Sequence, residues 1–137
     1  MIAKTELFES SLHRASEAIG DLTAPALERF YARFPEAERA FEAHGHGRRA
    51  RLEAQMVETA LFCLMRWLEE PHEIVSLLTS SVPHHRLTLL VELPLYEGLV
   101  AAVLDTIVAT IPATATAELD VCSEVRLRLL HAVGEAG

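Results

Sequence analysis

Apolar residues recur at helical spacing along almost the whole chain. In the first stretch Phe8, Leu12, Ala15 and Ile19 share one face of a helical wheel, while Glu6, Glu9, Arg14 and Glu17 fall largely elsewhere. This predicts an amphipathic helix over 5–20, stopped at Gly20. Thr23 reads as the N-cap of a second helix, with Pro25 in its first turn, where the missing N–H costs nothing. That helix carries Leu27, Phe30, Tyr31 and Phe34. Pro35 then opens a short helix through Phe41, because proline suits a helix start and disrupts a helix interior. His44-Gly45-His46-Gly47 reads as a loop. A long helix follows over about 48–69, with Leu52, Met56, Thr59, Ala60, Cys63 and Trp67 on one face. Pro71 opens a further helix bearing Ile74, Leu77 and Leu78, which Pro83 tends to break just ahead of His84. Two more apolar-periodic segments, 94–111 and 113–133, complete the chain; the last has Leu119, Val125, Leu129 and Val133 as its seam. Only 87–91 (Leu-Thr-Leu-Leu-Val) has strand-like composition, and it is short and isolated. The expectation is an all-α fold of about seven helices in a single domain over 1–137.

Bulk properties sharpen this picture by exclusion. With 137 residues the chain is long enough to bury one core without staples, and it is 50% hydrophobic and 23% charged, as ordinary globular domains are. The net charge is -8 and the basic residues are scattered, so a phosphate backbone finds no footprint and nucleic acid is not the expected partner. No uninterrupted apolar run approaches the roughly 20 residues that span a bilayer, so no membrane partner is expected. The first eight residues, with Lys4 and Glu6, do not read as a secretory signal, and a cytoplasmic location is expected. Cys63 and Cys122 stand far apart outside any paired motif and read as reduced, structural thiols.

The chemistry-bearing candidates are mainly histidines. His84 and His85 are adjacent, so on a helix their side chains point about a hundred degrees apart and only one can face a given pocket. Taken alone, the pair reads as a solvated cluster at a helix end, where cations suit the local dipole. His44 and His46 have a His-x-His spacing that binds a transition metal if a third ligand arrives, and that otherwise belongs to a polar loop. His13, His72 and His131 sit beside charged residues and read as surface groups. Phosphate loops, nucleophile elbows and paired catalytic acids do not occur.

Three local features together resemble the globin family, most closely its bacterial single-domain members. In Phe30-Tyr31-Ala32-Arg33-Phe34-Pro35-Glu36 through Phe41, a proline starts a short helix and a phenylalanine follows six residues later. His85 lies fourteen residues past Pro71. Pro94-Leu95-Tyr96 with Val100 opens a long apolar helix.

The resemblance implies haem b, with His85 as the iron ligand and His84 as second choice. It also implies Phe41 packed flat on the haem and Tyr96 behind the ligand. Leu52 falls at the position above the iron, with Gln55 and Met56 a turn later, and Leu27 at the aromatic site of the second helix. Such a mainly apolar distal side would hold oxygen weakly and still bind carbon monoxide and nitric oxide. The implied function is reversible binding of a diatomic gas as carrier, scavenger or sensor; nitric-oxide dioxygenase or peroxidase activity follows from family breadth alone. Arg48, Arg49 and Arg51 either pair with haem propionates or form a solvated helix start.

The chain departs from the family pattern in two places. Counting back from Tyr96 in the commonest bacterial spacing reaches Arg86, so a one-residue insertion is needed to put His85 in register. Leu89 and Leu90 stand where a glycine-valine pair often follows the ligand. These departures fit a rival reading, a haem-free globin-fold module for regulation or protein interaction. Apolar outward faces would support a homodimer in either case.

Overall fold

The chain's apolar pattern closes around a helix whose only charged residues, Glu97 and Asp105, share one stripe. In the computed structural model, which describes residues 3–137, this is α6 (Leu93–Val108). Leu99, Val100, Val103, Leu104 and Ile107 are all buried along it, as expected of a helix that is apolar over most of its circumference. Around it stand α1 (Lys4–Ile19), α2 (Thr23–Arg33), α3 (Pro35–His44), α4 (Arg49–Arg66), α5 (Pro71–Pro83) and α7 (Thr116–Ala136). The architecture is therefore all-helical with seven α-helices and, among the described residues, no strand. The first two positions of the stretch read for a leader lie outside the described residues. Among the described residues no helix is long and apolar enough to cross a membrane.

α6 packs against α2, α4 and α7, and α7 in turn packs against α5 and α1. The α2–α6 contact is close because of Gly98. A Cβ there would stand 2.5 Å from Cε2 of Phe34 and 3.2 Å from Cε1 of Phe30. The α1–α7 contact is tied by a polar cluster: Arg14 donates to Glu118 at 2.6 Å and the Ser11 hydroxyl donates to the same carboxylate at 2.9 Å. Ser11 and Glu118 are both buried, and their mutual bonds offset the desolvation that burial imposes.

Proline and glycine set most helix limits. Pro35, Pro71 and Pro94 each lie in the first turn of a helix, and Gly20 follows the end of α1. The start of α2 differs in detail from the expectation. Thr23 is its first helical residue rather than its cap, and the Asp21 carboxylate accepts the Thr23 N–H at 2.9 Å. This bond holds the Asp21 carboxyl below its usual pKa.

The larger departure lies between α5 and α6. Pro83 does not break the chain; it is the last residue of α5, and His84–Thr88 continues as a π-helical turn. Pro83 has no N–H to give, and the backbone beyond it widens its register. Leu89 N–H reaches the His84 carbonyl, five residues back, at 3.2 Å. Leu90, at φ 57°, ends the turn in the left-handed region that few non-glycine residues occupy. The strand-like composition of 87–91 is thus overridden: Leu87 and Thr88 belong to the π turn, and no neighbouring strand exists among the described residues to pair with.

Candidate functional site: an apolar cavity walled by His85

Six of the helices line a partly open cavity of about 200 Å³. One water needs only about 10–15 Å³ measured in the same way, so this is space for a ligand rather than a packing defect. α2 contributes Phe30, α3 contributes Ala37, Ala40 and Phe41, and α4 contributes Leu52, Met56, Thr59, Ala60 and Cys63. The opposite side is made by Leu78 of α5, His85 and Leu89 of the π turn and its exit, and Leu95, Tyr96, Leu99 and Val100 of α6. Leu129 and Val133 of α7 close the base, and His44 and His46 stand where α3 gives way to the loop.

The geometry at His85 defines its chemistry. Ring Nδ1 lies 2.8 Å from the carbonyl oxygen of Ser81, one helical turn back. A carbonyl can only accept, so Nδ1 carries the proton, and in the neutral ring Nε2 keeps an unshared pair. The same serine is used twice: its hydroxyl is 2.9 Å from the hydroxyl of Tyr96. The Tyr96 ring meets the imidazole edge to face, with centroids 5.1 Å apart and planes at 84°. Burial raises the Tyr96 hydroxyl above its ordinary pKa, so it stays a neutral hydrogen-bonding group at physiological pH. His85 is therefore held at Nδ1 and along its ring face, with Nε2 as the nitrogen left to act.

Other polar groups of the wall are already engaged or inert. Thr59 donates its hydroxyl to the Gln55 carbonyl at 2.9 Å. Burial pushes the Cys63 thiol up to about 11, so no thiolate faces the cavity near neutral pH. Cys122 is likewise buried, free and raised by burial.

Two of the remaining histidines flank the mouth. His44 ends α3 and the Gly45-His46-Gly47 turn carries the other, and Gly45 cannot be replaced there without moving backbone, since a Cβ would sit 2.8 Å from the Phe41 carbonyl oxygen. His46 itself is at φ 49°, a conformation of the kind that concentrates at ligand sites. Among the described residues no three His, Cys, Asp or Glu side chains gather around a point, so the His-x-His pair gains no third protein ligand.

The expected site residues divide clearly. Phe41, Leu52, Met56, Tyr96 and His85 come together on the wall of this one cavity. His84 does not: it is exposed, its ring crosses that of His85 at 86°, and it points away from the wall residues. Gln55 is exposed on the outer side of α4 and serves the wall only through its main-chain carbonyl. Leu27 is buried in the core but lies off the wall; Phe30, three residues and about 4.5 Å further along α2, takes that place.

None of Arg48, Arg49 and Arg51 lines the cavity. Arg49 is bound by Glu38 and by Glu53 at 3.3 Å, with Glu42 at 3.6 Å, and lies over the Tyr31 ring. Arg48 and Arg51 are exposed, so this is a solvated helix start with one buttressing residue. Tyr31 also donates to Glu53, and its ring meets Phe41 nearly edge-on at 6.2 Å. The cluster thereby supports Phe41 from behind.

Ser81 was not among the expected site residues. Its spacing of four from His85 is the signal that would have placed its carbonyl beneath Nδ1.

Compared with protein-family models, with characterised proteins and with solved structures, the chain gives no match.

Proposed function

We propose that the protein has a globin-like arrangement and binds haem b, with His85 as its axial ligand, and that the loaded protein reversibly binds a diatomic gas. The observation that carries this reading is an imidazole held through Nδ1 to the Ser81 carbonyl, in the wall of a largely apolar cavity. A haem iron calls for such an imidazole with its second nitrogen hydrogen-bonded, in apolar surroundings that exclude water.

The residues present fit the group. Phe41 offers an aromatic face, Tyr96 supports the imidazole, and the Leu95, Leu99 and Val100 side chains provide apolar walls. His44 and His46 at the mouth suit carboxylates emerging from a ring otherwise enclosed by hydrocarbon. Haem iron supplies the coordination position at which a small gas molecule binds. This chain's part is to hold the imidazole at one angle, keep the cavity dry and limit hydrogen bonding around the gas.

The α4 wall favours some ligands over others. Leu52 and Met56 have no N–H or O–H to donate, and the Thr59 hydroxyl is committed to the Gln55 carbonyl. A wall without a donor would give oxygen little support, whereas carbon monoxide and nitric oxide would need none.

The test is an absorption spectrum of the purified chain titrated with haemin, then reduced and exposed to carbon monoxide. A Soret band that saturates at one haemin per chain and shifts with carbon monoxide is the expected result. A chain that stays colourless with excess haemin would overturn the proposal and leave the haem-free interaction module as the reading to pursue.

A further inference from the structure

Away from the cavity, a surface groove runs between α5 and α7 over the buried Trp67. Val75 and Thr79 form its α5 side; Leu127, Ala132 and Ala136 form its α7 side. A single exposed leucine is ordinary on any protein surface. Leu127 is different because it stands 74% exposed beside a groove with small residues further along the same helix.

The charges of this face are also distinctive. The chain carries a net charge of -8, which opposes the approach of a second copy over most of the surface. Here, however, Arg128 and His131 stand with Glu135 on the stripe that includes Leu127 and Ala132. Within the chain these charges are only loosely engaged. Arg128 lies 4.0 Å from Glu124, whose same carboxylate oxygen is bound by Lys4 at 2.8 Å. The His131–Glu135 separation is 3.9 Å, and both side chains are 74% exposed.

We infer that the α5–α7 face is the contact between two copies of this chain, with the two α7 helices antiparallel about an axis between His131 and Ala132. That register places Arg128 of each copy opposite Glu135 of the other. It also sets Leu127 over Ala136 and His131 over Ala132, so that each large residue meets a small one. A two-fold contact of this kind satisfies every pairing twice with one surface patch. The interface rests on none of the haem reading, although it covers the outer side of the helix that leads to His85.

Sedimentation of the full chain over a concentration series, with and without added salt, tests the inference. The expected result is a reversible dimer that weakens as salt rises. Leu127→Glu, Arg128→Glu and Glu135→Arg should each raise the dissociation constant by about tenfold or more. Arg128→Glu combined with Glu135→Arg should restore association to near the wild-type value, because the exchanged charges still face each other. All three positions of change are surface sites, and circular dichroism should show unaltered helix content. A monomer at every concentration would overturn the inference, as would a dimer that Leu127→Glu leaves intact. A double variant that dissociates as readily as either single charge reversal would overturn the register.

Discussion

His85 Nδ1 and the carbonyl oxygen of Ser81 are 2.8 Å apart, four residues separated in a segment that changes from α to π register between them. The bond selects the tautomer and so decides which nitrogen is left for chemistry. Its first consequence is a difference between two neighbouring histidines. His85→Ala should abolish stoichiometric haem uptake, and His85→Gly should recover a Soret band on addition of free imidazole. His84→Ala should leave uptake unchanged, because His84 is exposed and off the cavity wall. Equal loss in both variants would show that the segment as a whole, and not the His85 ring, is what matters.

Tyr96→Phe removes the hydroxyl that meets Ser81 while keeping the ring against His85. The variant should lose about 1 kcal/mol of folding stability, the usual net value of one hydrogen bond. Urea unfolding followed by circular dichroism measures this. Haem uptake should survive, since the edge-to-face contact and the Nδ1 bond are both retained.

Gly98→Ala sets two effects against each other. Alanine favours a helix interior by about 1 kcal/mol, but its methyl would collide with the Phe34 ring at 2.5 Å where α2 crosses α6. Overpacking of this kind costs about 1–3 kcal/mol, so the net change should be destabilising. Adding Phe34→Leu should recover part of the loss, and a thermal melt of the single and double variants reads out both. A stabilised Gly98→Ala would mean that the two helices separate more easily than their contact suggests.

Acid should act through Glu118. Its carboxyl is held below the usual 4.5, first by the Arg14 hydrogen bond and then by Ser11, against the opposing effect of burial. A folded-state pKa lower than the unfolded one contributes stability that is fully present above the unfolded value and is lost as pH falls through the folded one. Glu118→Gln should therefore cost about 2 kcal/mol near neutrality, and the difference from wild type should shrink as the solution is taken below the usual glutamate range. Urea titrations at a series of pH values would show this convergence; parallel curves at all pH values would contradict it.

The Cys63 thiol, raised to about 11 by burial, should resist thiol reagents in the folded protein at mildly alkaline pH. Both cysteines should label together once denaturant unfolds the chain, since Cys122 is also buried. Rapid labelling of Cys63 in native buffer would show that the cavity admits reagent and solvent freely.

The helices were readable from the chain where periodicity and punctuation agreed. Pro35, Pro71 and Pro94 announced three helix starts, and the apolar spacing of Phe8, Leu12 and Ala15 placed the first helix, because both signals are local. The region from Pro83 to Leu90 resisted reading because local signals conflict with how the chain is used there. Proline suggested a stop and the Leu-Thr-Leu-Leu-Val run suggested a strand, but the backbone takes a π turn that both would disfavour.

The stretch from His85 to Tyr96 contains most of the π turn, a wider register than an α turn. Phe41, Leu52, Met56, Tyr96 and His85, which the family resemblance singled out, all line the one cavity. Leu27 and Gln55, singled out in the same way, lie off its wall, where Phe30 of α2 and Met56 of α4 stand. Which face of a helix turns inward is settled by its partners, and one sequence does not display them. The commitment of Arg49 to Glu38 and Glu53 was invisible for the same reason, since Glu38 belongs to a different helix.

The π turn has one more consequence. None of its five residues is buried, and Leu90 leaves it in a conformation that costs leucine roughly 1–2 kcal/mol. Helices α5 and α6 on either side are anchored by Ile74, Leu78, Val103 and Leu104, so the turn is a weak link between firm ones. Its amide protons should exchange with solvent well before those of its neighbours, through openings that leave the remaining fold intact. The imidazole is thus mounted on the part of the molecule that can loosen by itself while the helices around it stay folded.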